Sequence, residues 1–235
     1  MRVRCMYKKS KNGFTLAEVL ITLGVIGVVS AITMPTLIQK HQEHVTVVKV
    51  KKFYSTMAQA YESYINEYGY PDSWEKFSTR EEATTNFANK FKPYLKIIKD
   101  CGYNEGCFIN GNYKKFNGTE SINFVTNKYM LILNDGSAVA FYLYSKNNDN
   151  NCIYYDINGK KGPNQFGKDM FEFDFDNKLV PGEYFDPSNT EENTLTNCLV
   201  GGYTCAHWII TNGNMDYLHC PDYLTENPTA TKCPK

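Results

Sequence analysis

The spacing of hydrophobic and polar positions changes along the chain, and each change predicts an element. From Phe14 the sequence reads FTLAEVLITLGVIGVVSAITMPTLIQ, and the 21 residues from Val19 to Gln39 carry no charge. An uncharged apolar run of this length predicts a membrane-crossing helix, because about 20 residues rising about 1.5 Å each cross roughly 30 Å of hydrocarbon. The pattern then turns one-sided. Val50, Tyr54, Met57, Tyr61, Tyr64 and Tyr68 recur in steps of three and four, while Lys49, Lys51, Lys52, Gln59, Glu62 and Glu67 take the other faces. Gly69 and Pro71 supply stop signals. One helix is therefore predicted from about Phe14 to Tyr68, apolar all round in its first half and amphipathic in its second. The aromatic stripe of the second half is expected to pack a core rather than to bind a ligand.

Ser78 to Lys99 predicts a second helical region. Ser78 and Glu81 have capping-box spacing, Phe87, Phe91, Leu95 and Ile98 form an apolar face, and Pro93 splits or kinks the segment. Strand signals follow. KYMLIL (128–133) and AVAFYLY (138–144) flank Asn134-Asp135-Gly136-Ser137, a hairpin signal, and CIYYDI (152–157) and MFEFDF (170–175) read as two further strands. KNNDNN (146–151) is a polar connection, and no internal repeat is present. A helix, an antiparallel sheet and a loop-rich end make the expected class α+β.

Charge looks featureless until it is resolved along the chain. The sequence has 25 basic and 25 acidic residues, which argues against a polybasic nucleic-acid binder, and 42% apolar residues argue against wholesale disorder. Residues 1–13, MRVRCMYKKSKNG, nevertheless carry five basic residues (Arg2, Arg4, Lys8, Lys9, Lys11) and no acidic one. The positive-inside rule puts that end in the cytoplasm and the C-terminal part outside it. A secretory signal peptide has a shorter apolar core and a small-residue cleavage site after it, so a retained anchor is expected. Glu18 does not suit a plain anchor. A carboxylate in a membrane helix is costly and usually partnered, although Glu18 could also simply mark the helix start among lipid headgroups.

The stretch Gly13-Phe14-Thr15-Leu16-Ala17-Glu18, after a short basic leader and before a long apolar run, resembles the type IV prepilin cleavage and methylation motif. The resemblance implies a leader at 1–13, a transmembrane and assembly helix at 14–38, and an extracytoplasmic pilin-like α+β domain at 39–235. It implies that a prepilin peptidase cuts between Gly13 and Phe14 and methylates the Phe14 amine. Glu18 then meets the Phe14 amine of a neighbouring subunit, the partner that membrane physics requires. Pro35 matches a position where pilin helices often carry a kinking proline. Removing the leader takes five basic residues from 25 and leaves 20 against 25 acidic, so the exported chain is acidic by about five charges.

Other constellations concern the domain. Asp156, Asn158 and Asp169, within the Gly-rich stretch DINGKKGPNQFGKD, offer oxygen ligands that a calcium ion takes, or else the polar side chains of an ordinary turn. The stretch is not an EF-hand, since Gly167 stands where the twelfth-position Glu belongs. Eight cysteines suit an oxidising compartment, and loss of Cys5 with the leader leaves seven. Cys101 with Cys107, and a cluster of Cys198, Cys205, Cys220 and Cys233, are near enough in sequence to form disulfides whose connectivity stays open. The odd number, which includes Cys152, leaves at least one unpaired or bonded between subunits. Cys205, His207, His219 and Cys220 lack zinc-finger spacing, and disulfides are expected there rather than a Cys/His nucleophile. His41 and His44 should face solvent or headgroups, and Trp74 and Trp208 should pack.

The expected function is non-enzymatic: a structural subunit of a type IV pilus-like filament in the cytoplasmic (inner) membrane, single-pass, with homologous subunits as partners and no nucleic acid. A pseudopilin of a type II secretion system is preferred, with a minor type IV pilin acting in adhesion or DNA uptake as the alternative. No cofactor is required beyond the calcium considered for the loop.

Overall fold

The computed structural model describes residues 15–123, 127–143, 151–175, 178–182 and 191–234. Gly13 and Phe14 lie outside the described residues. The chain divides into two compact units, Met1–Gln42 and Glu43–Lys235. Helix α1, Leu16–Tyr68, runs for 53 residues through both and includes Pro35. It ends where Gly69 takes a positive φ of 79° and donates its N–H to the Ile65 carbonyl at 2.8 Å.

In the second unit α1 buries Thr46, Val47, Val50, Phe53, Met57, Ala60, Tyr61 and Tyr64. Val50, Met57, Tyr61 and Tyr64 of the expected stripe are buried, Tyr54 and Tyr68 are half-buried, and Phe53 joins the buried face. Phe53 stacks on Tyr155 with ring centroids 3.8 Å apart, and it also meets Phe173 at 5.1 Å. Helix α2, Arg80–Phe91, adds Phe87 and Phe91 to the same core, against Phe141 and Tyr64. Its capping box is made by Thr79 and Glu82, one residue later than Ser78 and Glu81. The two pairs share the same spacing, so the pattern alone cannot choose between them.

The helix predicted to reach Lys99 ends sooner. After Pro93, strand β1 (Ile97–Gly102) begins. The remaining strands are β2 (Asn112–Lys114), β3 (Glu120–Asn123), β4 (Tyr129–Leu133), β5 (Ala138–Tyr142), β6 (Asn151–Asp156), β7 (Met170–Phe175) and β8 (Leu179–Val180). Among the described residues they form a six-stranded antiparallel sheet in the order β1-β4-β5-β6-β7-β8 and a separate β2–β3 pair. The β4–β5 turn follows the hairpin signal: Gly136 has φ 82°, and the Asp135 carboxylate accepts from the Ser137 N–H and hydroxyl. The sheet face away from α1 carries a second apolar cluster of Met130, Ala138, Ala140 and Met170 beneath Phe108, Tyr113 and Phe166.

Three short helices close the chain: α3 (Glu191–Gly201), α4 (Cys205–Asn212) and α5 (Pro221–Glu226). The result is a long N-terminal helix whose second half packs on an antiparallel sheet, followed by a disulfide-bearing C-terminal region, an α+β pilin-like architecture.

Candidate functional site

Among the described residues, the first unit is a helix whose apolar side chains are exposed. Thirteen large apolar residues from Leu16 to Ile38 are exposed, Leu16 to 77% and Ile32 to 71%, and no side chain lies within 4 Å of where a Cβ would stand on Gly24 or Gly27. An apolar surface of this extent cannot persist in water and requires lipid or other apolar helices around it. The segment is long and apolar enough to cross a membrane. The hydroxyls here are turned inward along the helix: Thr22 donates to the Val19 carbonyl, Thr33 to Val29 and Thr36 to Thr33. Pro35 has no N–H and so withdraws the helical donor of the Ala31 carbonyl.

Glu18 stands at the head of this helix with a partner inside its own chain. Its Oε2 accepts from the Thr15 N–H at 2.8 Å and from the Thr15 hydroxyl at 2.9 Å, while the Glu18 N–H donates to Thr15 Oγ1 at 3.3 Å. This is a reciprocal capping box that satisfies orphan donors at the helix start. Thr15 was not singled out in the sequence, although Thr-x-x-Glu spacing was there to be read. The box ties the carboxylate to Thr15, which follows Phe14 in the sequence.

The loop between β6 and β7 brings Asp156, Asn158 and Asp169 together. Asp156 is fully buried, and its carboxylate accepts from the Tyr113 hydroxyl at 2.7 Å and the Asn158 N–H at 3.0 Å. Asp169 accepts from the N–H groups of Asn164 and Gln165 at 2.8 and 2.7 Å and from the Asn158 side-chain amide at 3.4 Å. Burial pushes the Asp156 carboxyl up to about 7, against the lowering effect of the Tyr113 hydroxyl and the backbone donors. Burial also raises Asp169, opposed by the N–H groups of Gln165 and Asn164. Two buried amide oxygens beside them, Asn158 Oδ1 and Asn164 Oδ1, accept no hydrogen bond. Asn164 and Gln165 thus belong to this loop's polar set, which sequence spacing did not reveal. Gly167 is sterically required: at φ 77°, a Cβ there would stand 2.6 Å from Cys205 Sγ.

The cysteines resolve into Cys101–Cys107, Cys198–Cys205 and Cys220–Cys233. Cys205 and Cys220 are therefore disulfide sulfurs, and neither offers the thiolate that nucleophilic or zinc chemistry at His207 and His219 would use. His219 instead approaches both Glu43 carboxylate oxygens, at 2.9 and 3.0 Å. Trp74 packs against Tyr64 and Phe87 and donates to the Gly69 carbonyl, and Trp208 donates to Asn214 Oδ1. His41 and His44 are exposed.

Comparison with known proteins supplies two matches. Residues 8–34 match the prokaryotic N-terminal methylation motif, the signal motif of type IV pilins and pseudopilins. No curated protein and no solved structure matches the chain. Residues 36–196, well over half of the 235, match a family of unknown function, DUF6613. A DUF6613 sheet domain thus follows directly on a prepilin-type N-terminus, and the chain belongs to the DUF6613 family.

Proposed function

We propose that this pilin-like subunit is a pseudopilin of a type II secretion system, processed after Gly13, methylated at Phe14, and polymerised through its N-terminal helix. The observation that carries the reading is the coincidence of the methylation motif at residues 8–34 with a helix whose large apolar side chains from Val19 onward are exposed. Membrane storage followed by packing of such helices in a filament core keeps that surface out of water in both states. The Phe14 amine of the next subunit serves as the cation for Glu18, replacing the Thr15 cap as its partner. The basic leader sets the N-terminus in the cytoplasm and the domain outside. The Cys220–Cys233 staple near the C-terminus favours a second reading, a minor type IV pilin acting in adhesion or DNA uptake.

Co-expression with a prepilin peptidase should shorten the chain by its leader, and substitution of Gly13 should block this. Glu18→Ala should be processed and folded yet fail to enter filaments. Normal filament incorporation of Glu18→Ala would sink the mechanism. Loss of secretion without loss of surface pili on deletion separates the pseudopilin from the minor pilin.

Calcium at the Asp156–Asp169 loop belongs to the same reading. Two carboxylates and the two orphan amide oxygens of Asn158 and Asn164 are the hard donors this ion takes, so the residues fit it. Titration calorimetry should show calcium binding and chelation should lower the melting temperature; no heat and an unchanged melting curve would remove the ion from the account.

A further inference from the structure

Cys152 lies outside the three disulfides, on the sheet face turned away from α1. In the β6–β7 register Cys152 stands opposite Asp174, and Tyr154 opposite Glu172. Alternation along the strands puts Cys152, Glu172 and Asp174 on one face, while Ile153, Phe171, Phe173 and Phe175 enter the core under α1 and α2. Cys152 Sγ donates to Asp174 Oδ1 at 3.2 Å, and the thiol sulfur and one oxygen of each carboxylate all lie within 4.8 Å of one another. The three residues are 8%, 9% and 5% exposed.

A thiol and two acids in one buried place could simply all hold their protons. A separate observation argues for more: among the described residues Glu172 Oε2 is buried and accepts no hydrogen bond, although the carboxyl group as a whole also meets the Cys152 thiol and the Tyr154 hydroxyl. A buried carboxylate oxygen without a donor is unfavourable, and a coordinated cation removes the defect. We propose that Cys152, Glu172 and Asp174 form a binding site for a divalent cation of borderline softness, with Zn2+ the best match.

The ligand chemistry selects among cations. Calcium and magnesium take oxygen sets, whereas one sulfur with two carboxylates suits zinc, which accepts three protein ligands and completes its tetrahedron with water. Binding converts the Cys152 thiol to a metal thiolate and releases its proton to solvent. Both carboxylates ride on β7 and Cys152 on its antiparallel neighbour β6, in a regular ladder, so the site is rigid before the ion arrives. The competing cation is Lys128, which interacts with both Glu172 and Cys152, and Arg80 lies near it.

The test uses the untagged full-length chain in detergent with its disulfides oxidised, stripped by chelator and titrated with Zn2+ and then Co2+. The expected result is one tightly held equivalent of Zn2+ and, with Co2+, a thiolate-to-metal charge-transfer band in the near ultraviolet. Cys152→Ser should abolish the band, and Glu172→Gln, which keeps size and shape, should weaken Zn2+ binding at least the roughly tenfold typical of disturbing even a supporting residue. The titration of the unsubstituted chain is decisive even where a variant fails to fold. Absence of a bound equivalent, absence of the cobalt band, or unchanged binding in a folded Cys152→Ser or Glu172→Gln chain would overturn the site and leave Lys128 as a countercharge.

Discussion

Asp156 shows how a single side chain couples the fold to pH. It is fully buried, and its carboxyl is pushed up to about 7 from an ordinary value of 3.8. The folded state therefore holds this proton more tightly than the unfolded chain does. The stability it contributes is complete below about pH 4 and is lost as the pH rises through about 7. Asp156→Asn keeps an acceptor for the Tyr113 hydroxyl but cannot ionise. With chelator present, the wild-type domain should lose denaturant resistance between about pH 5 and pH 7.5, and the variant should lose less. Equal loss in both would contradict the assignment. At the same scale, Glu18 was legible as a special residue because a charge interrupts an apolar run.

At the scale of elements, periodicity did well over long stretches and poorly over short ones. The 53 residues of α1 repeat their pattern many times, and its end at Tyr68 agrees with the Gly69 signal. The exact buried face was less certain, since Phe53 and Tyr54 are adjacent and both aromatic; docking on Tyr155 and Phe173 selected Phe53. Phe53→Ala should accordingly destabilise the domain by about 3–5 kcal/mol, and Tyr54→Ala by clearly less, both measured by denaturant unfolding. A Phe53 substitution no worse than the Tyr54 one would contradict this packing. The local pattern predicts helix across β1, because Leu95 and Ile98 fit a three-residue step. Its pairing with β4, some thirty residues onward, outweighs that local pattern, and of the split or kink expected at Pro93 the split is found, with Pro93 in the short turn between α2 and β1.

At the scale of the whole molecule, the sequence by itself carried the N-terminal motif, the long apolar run and the α+β class. A basic leader, an apolar run and a mixed α+β remainder are one-dimensional features, because membrane crossing and signal processing both read contiguous residues. The same holds for the short cysteine spacings that made Cys101–Cys107 visible in advance. Pairing among Cys198, Cys205, Cys220 and Cys233 was not determined, since several connectivities satisfy the same spacing and only the placement of α3, α4 and α5 brings particular sulfurs together. The buried set of Cys152, Glu172 and Asp174 is likewise a product of the tertiary structure alone. Cys152 and Asp174 are 22 positions apart in the chain and become opposite neighbours only through the β6–β7 register. Local chemistry along a chain reports what contiguous residues do to solvent and membrane, whereas burial and proximity between distant residues exist only once the sheet has set its register.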